Sequence, residues 1–82
     1  MVIIDFAPSF KKLFDKVRNT AVKEQIRKQI QKIASLPESG KPMRFGRKGT
    51  RELYVKPYRL VYIYSMEEER VLFLDLYHKD EQ

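Results

Sequence analysis

The residues best suited to chemistry in this chain are one histidine and one arginine, each in a β-prone run. His78 is the only histidine among the 82 residues. A histidine side chain ordinarily has a pKa near neutrality, which suits general acid–base catalysis. Arg59 lies within the apolar run 58–62, where an unpaired guanidinium is costly to bury. Arg59 therefore needs either an anion such as a phosphate or a structural counterion such as Glu52.

A belt of cations, most of it ahead of Arg59 in the chain, supplies a third element. Several tyrosines accompany it, and two of them could stack on nucleic-acid bases. An imidazole, a fixed cation and an anion-attracting belt are together the parts needed to cleave RNA without a metal. Simpler interpretations stay open: a surface histidine at a strand end, a structural arginine and a solvated loop. The basic belt consists of Lys41, Arg44, Arg47, Lys48, Arg51, Lys56 and Arg59.

The net charge of +6 is distributed unevenly along the chain. Residues 1–35 carry eight bases and three acids, and residues 36–66 carry seven bases and two acids, so each segment has a net charge of +5. Residues 67–82 carry two bases and six acids, a net charge of −4. A cationic body of this kind attracts polyanions, of which RNA and DNA are the commonest.

Several other site chemistries find no support in the residues. The chain has no cysteine, which excludes disulfides and thiolate metal sites. One histidine and a few clustered carboxylates make poor metal ligands, so neither a metal nor another cofactor is expected. The glycine-rich phosphate loops of nucleotide enzymes are absent, and the serines lack a credible base. No apolar run is long enough to cross a bilayer and no signal peptide is recognisable, so we expect a cytoplasmic protein without membrane partners.

The elements that position these residues follow from hydrophobic periodicity. Alternation over residues 2–6 predicts a short strand. Apolar residues at i, i+3, i+4 and i+7 predict a helix that begins near Pro8, with Ser9 as a candidate cap. The same spacing predicts a second helix that ends near residue 35, and residues 19–20 can cap it. Two helices with so short a joint form a helical hairpin.

The remainder of the chain is β-prone. The runs 50–56, 58–65 and 71–78 are joined by short turns, which predicts an antiparallel meander. A short edge strand is predicted to start at residues 43–45.

These elements predict one α+β domain over residues 1–82. The order is an N-terminal strand, a two-helix hairpin, and then a three- to four-stranded antiparallel sheet with both helices on one face. The N-terminal strand is expected to join a sheet edge or lie beside the last strand. We expect the guanidinium of Arg59 and the imidazole of His78 to converge on the uncovered face, within reach of one phosphodiester.

The predicted order of strand, two helices and sheet, together with four short motifs between residues 40 and 79, resembles the RelE/ParE superfamily of toxin–antitoxin toxins over nearly the whole chain. The turn and the C-terminal motif look most like the RelE and YoeB branch. The motifs are Gly40-Lys41-Pro42, Arg51-Glu52-Leu53, Tyr58-Arg59-Leu60-Val61-Tyr62 and Tyr77-His78-Lys79.

The resemblance implies a ribosome-dependent endoribonuclease that cleaves messenger RNA, inhibits translation and is neutralised by a cognate antitoxin. The ribose 2′-hydroxyl attacks the adjacent phosphate without a metal. Arg59 matches the family's catalytic arginine and His78 matches the catalytic histidine of the YoeB branch. Tyr54 and Tyr77 are expected to orient or stack a base. The RNA-binding set is Lys41, Arg44, Arg47, Lys48, Arg51, Tyr54, Lys56, Tyr77 and Lys79.

The chain also departs from the family pattern. Met43 occupies the position where the YoeB branch has a glutamate that can act as the base, and Lys79 replaces an aromatic residue. Glu52 and Tyr54 fall about where RelE-type members have paired lysines. The general base is therefore unassigned, with Glu52, Lys56 or His78 as candidates. A DNA gyrase inhibitor like ParE and a non-catalytic RNA-binding relative remain alternatives.

Overall fold

Two helices cover one face of a five-stranded sheet in the computed structural model, which describes residues 2–42 and 49–78. The α+β architecture expected from the sequence is thereby confirmed. Within those residues, neither helix is long and apolar enough to cross a membrane. In chain order the elements are β1 (Ile3–Phe6), α1 (Pro8–Asp15), α2 (Thr20–Ser35), β2 (Lys41–Pro42), β3 (Thr50–Val55), β4 (Tyr58–Ser65) and β5 (Arg70–His78).

The helices begin where local chemistry allows. Pro8 occupies the first turn of α1, where its missing N–H group costs nothing because that position has no intrahelical partner. The Asn19 side chain accepts hydrogen bonds from the N–H groups of Ala21 and Val22, at 2.9 and 3.1 Å, and so caps α2. The prediction of a cap at residues 19–20 is confirmed.

The sheet has the strand order β1-β5-β4-β3-β2. The antiparallel meander of β3, β4 and β5 matches its prediction. β1 lies beside β5 and runs parallel to it, so the sheet is mixed and has one more strand than the expected maximum of four. The two-residue strand β2 forms the other edge. The edge strand predicted at residues 43–45 lies outside the described residues.

The hydrophobic core lies between the helices and one face of the sheet. The helical layer contributes Phe10 from α1, Val17 just after that helix, and Ile26 and Ile33 from α2, all of them buried. They pack with the inward side chains of β4 and β5, among which Leu60, Tyr62, Val71, Phe73 and Leu76 are at most 2 % exposed. We call the opposite side of the sheet the outer face.

β5 contains a bulge at Leu74. Asp75 pairs with Val61 and Phe73 pairs with Tyr62, so Leu74 has no partner on β4. An extra residue of this kind shifts the alternation of side chains by one position. Residues of β5 that follow the bulge therefore face the side opposite to the one that simple alternation predicts.

The bulge reconciles the core pattern with the position of an acidic residue. Phe73 and Leu76 are three residues apart, yet both are buried in the core. Without the bulge, Asp75 would share the core face with Phe73, and burial of its carboxylate would be costly.

The sequence predicts Ser9 as a helix cap, but its hydroxyl instead donates to the Leu74 carbonyl at 3.1 Å. The side chain of Asp75 accepts from the N–H of Leu76 at 2.8 Å.

A tyrosine on β4 anchors the chain that leaves α2. The Tyr62 hydroxyl donates to the Pro37 carbonyl at 2.7 Å and accepts from the Gly40 N–H at 2.9 Å. Gly40 packs so closely that a Cβ atom there would lie 2.6 Å from the Tyr62 hydroxyl oxygen. Any larger residue would displace this contact. The anchor fixes the start of the basic belt, since Lys41 follows directly.

We expect Tyr62→Phe to destabilise the fold by about 1–3 kcal/mol, because the buried Gly40 N–H and the part-buried Pro37 carbonyl lose their hydrogen-bond partner. Chemical denaturation would measure this as a lower midpoint with an unchanged slope. Tyr64→Phe is the matched control, because the Tyr64 hydroxyl makes no hydrogen bond to another described residue. Equal stability of the two variants would show that the anchor contributes nothing.

Candidate functional site

Three side chains of the candidate site lie in one row across the outer face. Tyr54 on β3 pairs with Arg59 on β4, which in turn pairs with Tyr77 on β5. Directly paired residues of antiparallel strands project to the same side of a sheet. Glu52 lies in the neighbouring row of the same face, because it pairs with Val61. The register therefore brings a carboxylate, a guanidinium and two phenols together.

The Glu52 carboxylate is the centre of this cluster. One of its oxygens accepts a short hydrogen bond from Nη1 of Arg59, as part of an ion pair. Its other oxygen accepts from the Tyr77 hydroxyl at 2.8 Å. The Tyr54 ring lies beside the arginine, with 5.6 Å between its centroid and Cζ of Arg59. We call Glu52, Tyr54, Arg59 and Tyr77 the outer-face cluster.

The cluster is only partly accessible to water. The side chains of Arg59 and Glu52 are 30 % and 20 % exposed, whereas Tyr54 is 49 % exposed. Nε of Arg59 is buried and has no hydrogen-bond partner among the described residues. The guanidinium therefore keeps a donor that no described residue uses, even though it is ion-paired.

These groups have complementary chemical capacities. A carboxylate can accept a proton, a guanidinium can bind a phosphate through two donors, and a phenol can give a proton. The sequence offers Glu52 both as a counterion for Arg59 and as a candidate base, and its pairing with Arg59 is confirmed. Its bond to Tyr77 was not predicted. The sequence indicated only that Arg59, within an apolar strand, needed a counterion, and it did not point to Tyr77 as a second partner of Glu52.

His78 lies on the other side of the sheet. It pairs with Tyr58, and the two rings are 5.4 Å apart in an edge-to-face arrangement. Leu13 of α1 and Lys16 at its C-terminal cap line the same recess. The expectation that Arg59 and His78 converge on one face is therefore wrong, because the bulge at Leu74 reverses the direction of every later side chain of β5.

Arg51 also lies on the helix side of the sheet. Its guanidinium donates to the Gly40 carbonyl at 2.7 Å and to the Glu38 carbonyl at 3.1 Å. It pairs across the strands with Tyr62, which anchors the same segment. Arg51 therefore uses its donors to hold the turn before β2.

The rest of the basic belt divides into two groups. Lys41 is exposed and pairs with Glu52 across β2 and β3, so it adds a cation to the edge of the outer face. Lys56 is exposed in the turn between β3 and β4. The predicted RNA contacts that lie outside the described residues are Arg44, Arg47, Lys48 and Lys79.

Comparison with solved structures identifies the same fold in known toxins. The isolated RelE toxin of E. coli aligns with a TM-score of 0.81 and 24% identity, over 95% of this chain and 84% of that one. A chain of the intact E. coli RelBE toxin–antitoxin complex aligns with a TM-score of 0.79 and 25% identity, over 93% of this chain and 94% of that one. The YoeB/ParE toxin of Agrobacterium tumefaciens aligns with a TM-score of 0.81 and 15% identity, over 94% of this chain and 98% of that one.

Comparison at the level of sequence gives the family. A search of curated proteins found no match. The family model described as the ParE toxin of the type II toxin–antitoxin system parDE matches residues 4–82. Because that match covers almost the whole chain, the protein belongs to the ParE toxin family, within the RelE/ParE superfamily, and is the toxin of a type II toxin–antitoxin system.

Proposed function

We propose that this toxin inhibits translation as a ribosome-dependent endoribonuclease that cleaves messenger RNA. The observation that carries the proposal is the outer-face cluster, in which Glu52 lies in contact with both Arg59 and Tyr77. Cleavage by the ribose 2′-hydroxyl requires a base, a cation and an acid around one phosphodiester. Those three capacities occur together on one face of the sheet.

In the proposed reaction, Arg59 binds the scissile phosphate and stabilises the charge that develops on its oxygens. Glu52 removes the proton of the 2′-hydroxyl, whose oxygen forms a new bond to phosphorus. The bond from phosphorus to the 5′-oxygen breaks, and Tyr77 gives that oxygen a proton. The products are a 2′,3′-cyclic phosphate and a 5′-hydroxyl end. The hydrogen bond between Tyr77 and Glu52 then returns the proton to the phenol.

The surroundings of the cluster suit a single-stranded polyanion. Tyr54 is half exposed beside Arg59 and offers a ring on which a base can stack. Lys41 and Lys56 add exposed cations near the two ends of β3. We assign the messenger and ribosomal RNA to this side. Arg44, Arg47, Lys48 and Lys79 stay predicted RNA contacts from the sequence. His78 and Arg51 face the helices and are not assigned a catalytic role.

The partner that neutralises the toxin is proposed to be an antitoxin with an acidic, amphipathic segment. A groove of about 470 Å³ lies between α1 and α2, and its lining includes Phe6, Phe10 and Phe14. Nζ of Lys23 and Cζ of Arg27 lie 5.1 and 5.4 Å from the centre of the Phe14 ring. An apolar floor with cations at its rim is complementary to a helix that has one apolar face and acidic flanks.

A DNA gyrase inhibitor that acts by binding alone is the second candidate. It is favoured by the family model, whose description is that of ParE, and by the ion pair that already occupies Arg59. A binding toxin of this kind needs neither a general base nor a general acid. The two candidates therefore differ in whether the outer-face cluster has to react.

We expect Arg59→Ala to lower messenger cleavage by about 10²-fold or more, because the phosphorane loses its stabilising cation. His78→Ala is expected to change cleavage much less, because its ring lies on the other face. Cleavage of a reporter messenger on purified ribosomes measures both variants. Arg18→Ala removes the same charge at an exposed position between the helices and serves as the control. Greater sensitivity to His78→Ala than to Arg59→Ala would reject this assignment.

The wild-type toxin is expected to cleave that messenger only when ribosomes are present and to leave gyrase supercoiling unchanged. Both assays use the same purified preparation, so an inactive sample cannot imitate selectivity. Inhibition of supercoiling with an intact messenger would establish the second candidate in place of the first.

We expect Arg27→Glu to weaken antitoxin binding on the order of tenfold, because it places a like charge opposite the acidic flank. Growth arrest by the variant alone should be unchanged, since the groove lies on the opposite side of the sheet from the cluster. Lys28→Glu is the matched control, because Lys28 is exposed on α2 and does not line the groove. Titration of each toxin variant with the antitoxin encoded beside it measures the effect. Equal affinity of the two variants would place the antitoxin elsewhere.

A further inference from the structure

We propose that Glu52 competes with RNA phosphate for Arg59. In the free toxin the Glu52 carboxylate occupies the guanidinium until RNA displaces it. This inference rests on the proposed function, in which Arg59 receives a phosphate. It assigns Glu52 a second role as the residue that sets the affinity of the site for RNA.

The geometry supports competition because a carboxylate and a phosphodiester offer the same recognition element. Each presents two anionic oxygens to the fork of donors on a guanidinium. One oxygen of Glu52 holds Nη1 of Arg59, and the other is held by the Tyr77 hydroxyl. The Tyr77 bond restricts the carboxylate and so keeps it beside the arginine. A phosphate that approaches Arg59 meets an anion already in position.

The closed pair still leaves the arginine receptive. Nε of Arg59 is buried without a hydrogen-bond partner among the described residues, so its binding capacity is not exhausted by Glu52. Because Nε is buried, an incoming phosphate oxygen can reach this donor only after the surrounding side chains have moved. The Tyr54 ring, 5.6 Å from Cζ of Arg59, supports the guanidinium during this exchange.

The exchange also couples binding to catalysis. While Glu52 is paired with Arg59, each of its carboxylate oxygens already accepts one hydrogen bond, one from the guanidinium and the other from the phenol. Transfer of Arg59 to the phosphate frees the carboxylate beside the 2′-hydroxyl. RNA that binds Arg59 therefore makes Glu52 available as the base. Small anions that cannot make the surrounding contacts are disfavoured.

The test measures binding of a 2′-O-methyl oligonucleotide, which has no nucleophilic hydroxyl and cannot be cleaved. We expect Glu52→Gln to bind this probe roughly three- to tenfold more tightly than the wild type, because a partly exposed competing charge is removed. Asp75→Asn is the matched control: Asp75 lies in the same row of the outer face as Glu52, on the other side of Val61, and does not contact Arg59. Its effect should be smaller than twofold.

A double variant separates release of Arg59 from a general change in charge. If Glu52 acts through Arg59, then Glu52→Gln should give no gain in binding when Arg59→Ala is already present. An equal gain in both backgrounds, or no gain in either, overturns the inference. Thermal unfolding of each variant confirms that the compared proteins are folded.

The outcome is distinguishable from that of the proposed function. Tighter binding by Glu52→Gln in a toxin that never cleaves messenger RNA retains the competition and rejects the nuclease. Cleavage by the wild type without tighter binding by the variant retains the nuclease and rejects the competition.

Discussion

The single extra residue at the bulge of β5 governs which side chains share a face near the end of the described chain. Simple alternation from Val71 and Phe73 would turn Asp75 and Tyr77 toward the core and His78 toward the outer face. The unpaired Leu74 reverses that arrangement, since each step along a strand exchanges the two faces. Leu76 then completes the core, and Asp75 stays in contact with water. For the same reason Tyr77 points to the outer face, where it joins the site.

The two arginines of the central strands illustrate how register separates structural from chemical roles. Arg51 and Arg59 both arise from β-prone runs, and both make hydrogen bonds to acceptors of the protein. Arg51 points to the helix side, where backbone carbonyls of the turn before β2 use its donors. Arg59 points outward, where a carboxylate takes only part of its capacity and Nε has no partner among the described residues. An occupied arginine stabilises the fold, whereas a partly occupied one can exchange its anion.

Local patterns in the sequence predicted the elements well and the site only in part. The helical spacing and the Asn19 cap gave the two helices, because these signals depend on neighbours a few residues away. The need for a counterion identified Glu52 as a partner of Arg59. The placement of β1 beside β5 was one of two expected arrangements, because a short strand carries no signal for its neighbour. Its parallel direction was not predicted. The bulge was not predicted, although Asp75 within an otherwise apolar strand was a sign of it.

The sequence by itself determined an α+β toxin domain of the RelE/ParE superfamily, its cationic character and the requirement that Arg59 be paired. The fold class and the charge follow from periodicity and composition, and the superfamily follows from the resemblance carried by the short motifs and the order of the elements. Only the tertiary structure decided that Glu52 and Tyr77 join Arg59 while His78 and Arg51 face the helices. Which face a side chain occupies depends on the register accumulated across three paired strands, and one unpaired residue is enough to reverse it.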